Sequence, residues 1–231
     1  MLFLPLELTP VVGNPRIAPA NLVLIVANFL LFFLSGGWPV GHGTGWYTAL
    51  LYGFSHVSLW HLVFNMWALW VFGNPVNRRL GDGYYLLAYL GTIVAIGLIG
   101  WLFCSGVGMM GASGGVFAVM TIAMLLMPGA RLLVACVICF PITVLAGLIS
   151  PPKQYWLYWF IRAGTFALKM YWCLLLIPLL LALEWLFVRI VLGVFGWGTA
   201  AHLLGMVCGV AIVLALPTRI TMPGRRAAGL L

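Results

Sequence analysis

No charged side chain occurs between Ile17 and Asn77, and none between Gly83 and Ala130. A soluble domain carries a charge at roughly every fourth residue, so runs of this length cannot fold with water as their main solvent. In hydrocarbon every backbone N–H and C=O must find a partner inside the protein, which leaves membrane-spanning helices as the solution. Composition agrees, with 65% hydrophobic and 6% charged residues among 231. That length suits one compact membrane domain over residues 1–231, with a core of about residues 19–217, rather than a string of domains. The net charge of +8 would suggest a nucleic-acid partner in a soluble protein. Here the basic residues instead orient helices in the bilayer, and no nucleic-acid partner is expected.

Proline and glycine punctuate the spans. The first runs from Asn21 to Ser35, opened by Pro19 and followed by Gly36-Gly37-Trp38-Pro39 and more apolar sequence, which argues against a cleavable signal peptide. The second runs from about His56 to Phe72, ending at the GNPVNRRLGDG stretch. A third covers Tyr84 to Phe103. The fourth starts near Ser113 and stops at Pro128-Gly129. Two more run from Tyr171 to Phe195 and from Thr199 to Leu216.

Leu132 to Leu148 is apolar enough to cross, but it is β-branched, carries Pro141 and is followed by Pro151-Pro152. Charge decides between the alternatives. With the amino terminus inside and this stretch not crossing, the inner side holds Arg16, Arg78, Arg79, Arg131, Lys153, Arg162, Lys169, Arg219, Arg225 and Arg226, and only Arg189 lies outside. A crossing would move Lys153, Arg162 and Lys169 outside, against the positive-inside rule. The expectation is an all-α polytopic bundle of six transmembrane helices. Both termini are cytoplasmic, and residues 132–169 form an inner-side insertion between helices four and five, as a strand-like hairpin.

In this topology the fourth helix descends from Ser113 for about 22 Å, short of a hydrocarbon core of about 30 Å. Ser113 therefore lies inside the membrane, below an opening to the outer water. The loop before it must pack in protein or line a wet cavity. His202 lies about one turn into the last helix. His56 stands at the rim of the second, His61 about 8 Å lower, and Asn65 shares the face of His61. Ser113, His202, His61 and Asn65 thus share one depth on three helices. Intramembrane polar side chains usually face the bundle interior and mark function. Any one of them alone would more often be structural, and Gly205 with Gly209 reads as tight helix packing.

This set can do nucleophilic chemistry. Serine needs a base, and the neutral imidazole of His202 can take its proton and return it to a leaving amine. Backbone N–H groups at the helix start, the Asn65 amide and the His61 ring N–H can hold an oxyanion. Gly111 and Gly114 allow close approach. The chain's carboxylates are Glu7, Asp82 and Glu184. The first two sit at the inner side and Glu184 lies within the fifth helix, so a Ser–His dyad is expected, with Phe117 stacking on His202 as the orienting group. No cofactor and no metal site are expected; Cys136 and Cys139 form a single CxxC without a second pair.

HVSLWHLVFNM from His56, GASGG from Gly111 and AHLLGMVCG from Ala201 resemble the three signatures of the rhomboid intramembrane serine proteases. The resemblance covers roughly residues 21–216. It implies Ser113 as nucleophile, His202 as base, and His61, Asn65 and the Ser113 amide as oxyanion stabilisers, with His56 and Gly111 near the site. It also implies cleavage of transmembrane segments of protein substrates near the outer face, contact with membrane lipid, and a bacterial-type inner (plasma) membrane. Two features depart from the family. Trp46 is followed by Tyr47 where the family often has Trp-Arg, and residues 151–169 lengthen the connection before the fifth span. The competing expectation is a non-catalytic rhomboid-like module that binds membrane proteins. A transporter is disfavoured by the lack of an inverted repeat.

Overall fold

The computed structural model describes residues 2–9, 18–34, 37–104, 108–139, 161–191 and 196–217. Helix α1 (Pro19–Leu34) begins on a proline, whose missing N–H costs nothing at a helix start. A short helix α2 (Thr48–Leu51) and a 3₁₀ turn at Tyr52–Phe54 then lead toward the next long helix. α3 (Leu59–Ala68) opens on Ser58, whose hydroxyl accepts the His61 N–H at 3.2 Å. α3 continues through one π-helical turn, Leu69–Gly73, into α4 (Asn74–Leu80), which ends at Gly81 with φ +78°. α5 (Asp82–Phe103), α6 (Ser113–Leu126), α7 (Met170–Val191) and α8 (Trp197–Ala215) complete the helices.

α5, α7 and α8 are each long and apolar enough to cross a membrane; α1 and α6 are apolar but shorter. The chain is an integral membrane protein. The second span was expected to stop at Phe72, and instead the helical path runs on to Leu80. The π turn explains how. Its Leu69 carbonyl accepts an N–H from the Asn21 amide at 2.9 Å, and its Trp70 carbonyl accepts from Asn74 at 2.9 Å, so the locally disrupted ladder keeps its partners.

The all-α expectation needs correction. Among the described residues a three-stranded antiparallel sheet, in the order β1-β2-β3, is built from β1 (Leu2–Thr9), β2 (Arg131–Cys139) and β3 (Ile161–Lys169). β1 was not anticipated, because its partner lies far along the chain and Pro5 breaks its pattern. The sheet buries much of one side against the core and leaves the other more exposed. Leu8, Leu132 and Val134 are buried in the core and Leu168 packs on it, whereas Glu7, Arg131, Ala167 and Lys169 are exposed. Residues 140–160, the middle of the expected 132–169 insertion, lie outside the described residues, as do the termini.

A buried polar network ties α1 to the turn between α4 and α5. The Asn21 amide donates to Asn74 Oδ1 at 3.0 Å as well as to the Leu69 carbonyl, and its Oδ1 accepts from the Tyr85 hydroxyl. The Asn21 N–H donates to Asn77 Oδ1 at 3.0 Å, and Asn77 donates to Asp82 at 2.8 Å. Gly73 is required there, since a Cβ would collide with Asn21 and Tyr85. This network lies at the sheet end of the bundle, away from the start of α6.

Candidate active site

The segment entering α6 is held by the loop after α1. Val40 and Met109 exchange two backbone hydrogen bonds of 2.8 Å, and His42 N–H donates to the Cys104 carbonyl at 2.7 Å. Gly111 N–H then donates to the Tyr52 carbonyl at 2.9 Å. The backbone at Met109 and Gly111, just ahead of Ser113, thus finds its partners in protein. Ser113 itself is half-buried at the first residue of α6, where the N–H groups of the first turn have no helical acceptor.

The residues around the start of α3 gather against this loop. Gly111 has φ +128°, a backbone region that side chains rarely adopt, and a Cβ there would lie 2.7 Å from His61 Cε1. The His61 ring therefore occupies the space in front of Gly111, two residues before Ser113. His56 meets His61 edge-on, with ring centroids 5.1 Å apart. Its Nε2 accepts the Ala112 N–H at 3.4 Å, which fixes the residue next to Ser113. Asn65 is buried one turn below His61 and donates one amide N–H to the His61 carbonyl at 2.9 Å.

α8 arrives by close packing. A Cβ on Gly205 would collide with the Gly114 carbonyl, and one on Gly209 would lie 2.7 Å from the Ala118 carbonyl. These two glycines let the α8 backbone run against α6 and bring His202, on the turn above Gly205, to the upper end of α6. The His202 ring stacks on Phe117, with centroids 4.4 Å apart and an interplanar angle of 23°. Phe117 is four residues after Ser113, on the same helix face. His202 Nδ1 is buried with no hydrogen-bond partner. Gly114 faces α5, where a Cβ would approach Ile96 Cδ1 at 2.7 Å.

Tyr52 was missed from sequence. It is 2% exposed, its carbonyl holds Gly111, and its hydroxyl is buried without a partner beside Gly114. An aromatic in a loop between spans carries no motif; only the fold wedges it between α5 and α6. Glu184 stays apart from the site, exposed on α7. Among the described residues, no three His, Cys, Asp or Glu side chains cluster closely enough to hold a metal ion.

Residues 43–151 match the family model of the Rhomboid domain. Over this stretch, just under half of its length, the chain is similar to the Rhomboid domain. Its matched range includes His56, His61, Asn65, Gly111 and Ser113, while His202 lies beyond it and is brought in by α8. The rhomboid protease GlpG of Pectobacterium atrosepticum is 34% identical over 110 residues, 43% of this chain and 39% of that protein. GlpG of Yersinia pestis is 33% identical over 112 residues, again 43% and 39% of the two chains. The mitochondrial presenilin-associated rhomboid-like protein A of Danio rerio is 32% identical over 87 residues, 36% of this chain and 23% of that protein. The chain thus aligns with about two fifths or less of the length of these rhomboid relatives.

Proposed function

We propose that this chain is an intramembrane serine endopeptidase that cleaves transmembrane segments of other membrane proteins near the outer face, with Ser113 as nucleophile and His202 as general base. The observation that carries the reading is the stacking of His202 on Phe117, one turn below Ser113. It supplies an oriented imidazole where no carboxylate stands. Since Nδ1 is buried without a partner, Nε2 is the nitrogen left to take the Ser113 proton and pass it to the leaving amine. Attack on a peptide carbonyl creates an oxyanion. The N–H groups at the α6 start, the His61 ring and the second Asn65 N–H, the first being held by the His61 carbonyl, would receive it. His56, Gly111, Gly114 and Phe117 act as support.

The membrane topology belongs to the same proposal. The spans are α1, α3 with its continuation, α5, α6, α7 and α8. The termini and sheet lie on the cytoplasmic side of a bacterial-type plasma membrane. Arg78, Arg79, Arg131 and Lys169 lie at the end away from Ser113, while Arg189 lies in the last turn of α7, at the other end, which accords with the positive-inside rule.

Purified protein should cut a single-span peptide with a helix-weak outer end into two fragments, and Ser113→Ala should yield none. Undiminished cleavage by that variant contradicts the proposal. Peptide binding without cleavage by the native chain would favour a non-catalytic binding module instead.

A further inference from the structure

Glu184 is the carboxylate that the site leaves unused. It sits within α7, whose buried residues are Met170, Cys173 and Leu181, so most of this helix faces outward. Glu184 is exposed and makes no hydrogen bond or ion pair with a described residue. Arg189, five residues on, is about 140° further round the helix and faces elsewhere. An ionisable side chain on the lipid face of a spanning helix is costly and persists where something meets it.

Its depth is informative. Glu184 lies seven residues before Val191, about 10 Å from the end of α7, and His202 lies five residues after Trp197, about 8 Å into α8. Only five residues separate the end of α7 at Val191 from the start of α8 at Trp197, so the two distances run inward from the same side. Glu184 therefore stands at the level of His202, on the outward face of the neighbouring helix.

We infer that Glu184 reads the transmembrane segment presented to Ser113, by pairing with a lysine or arginine that this segment carries at the depth of the site. The inference rests on the protease reading for the role of that segment, and it adds a chemical preference. An approaching helix with a basic residue solves both problems at once: each charge leaves lipid for a partner of opposite sign. A wholly apolar segment gains nothing from Glu184.

The test uses the full chain in phosphatidylcholine vesicles, with Ser113→Ala as background so that binding is read without turnover. Two fluorescent single-span peptides differ at one position at the depth of Ser113, lysine in one and norleucine in the other. The lysine peptide should bind at least about tenfold more tightly. Glu184→Gln should erase that difference, and Glu184→Lys should transfer the preference to a peptide with glutamate at that position. Equal binding of the lysine and norleucine peptides, or a preference that survives Glu184→Gln, overturns the inference. So does disulfide crosslinking of Glu184→Cys to a second copy that peptide does not suppress. Cleavage by the Ser113 protein is scored separately. A binding preference without cleavage refutes the protease reading alone, and cleavage with equal binding refutes this inference alone.

Discussion

The Asn21 network and the Ser113 site treat buried polar groups in opposite ways. At the sheet end, Asn21 uses both amide hydrogens, its carbonyl oxygen and its backbone N–H on Leu69, Asn74, Tyr85 and Asn77. At the other end, His202 Nδ1 and the Tyr52 hydroxyl are buried with no partner, and Asn65 has one of two N–H groups engaged. A saturated network locks helices together. An incompletely satisfied one keeps hydrogen-bonding capacity for something that arrives later. On the proposed function, the difference separates the part of the molecule that holds the fold from the part that would act.

Substitutions at the two ends should therefore fail in different assays. His202→Ala is expected to lower peptide cleavage by about 10³-fold or more, with a thermal midpoint in detergent close to that of the native chain. Asn65→Ala should cost about 10²–10³ in turnover, the range for loss of one oxyanion donor, again with little change in melting. If either variant instead unfolds, the outer end is structural and the comparison breaks. Gly205→Leu acts through packing. It forces α8 off the Gly114 carbonyl, destabilises by about 1–3 kcal/mol, and lowers activity because His202 moves with the helix. Asn21→Leu strands Tyr85 and Asn74 and should cost about 1–3 kcal/mol of stability, while the fraction that remains folded turns over at the native rate. Phe117→Leu should be mildest, with a loss of about 2–10-fold from the stacking contribution, and Phe117→Tyr should restore it.

What the sequence disclosed follows from how local each signal is. α1, α5, α6 and α8 are long uncharged runs bounded by proline, glycine or a charge, so their existence was legible and their ends differ by a few residues. Ser113, Phe117, His61 and Asn65 were placed by helical phase, which needs nothing beyond the chain itself. β1 was not legible, because Leu2–Thr9 becomes a strand through pairing with Arg131–Cys139, a partner more than a hundred residues away. The continuation of α3 past Gly73 was equally hidden, since it depends on Asn21 reaching across from α1. Tyr52 escaped notice for the same reason: its carbonyl matters because of where Gly111 comes to lie.

The central claim is that Ser113 is a nucleophile activated by His202. Labelling with a fluorophosphonate probe tests it most directly, since the probe reports an activated serine without any assumption about substrate. The native chain should be labelled at one site, with labelling abolished in Ser113→Ala and reduced to background in His202→Ala, both variants remaining folded. Labelling that persists in folded His202→Ala, or an unlabelled native chain, would contradict the account.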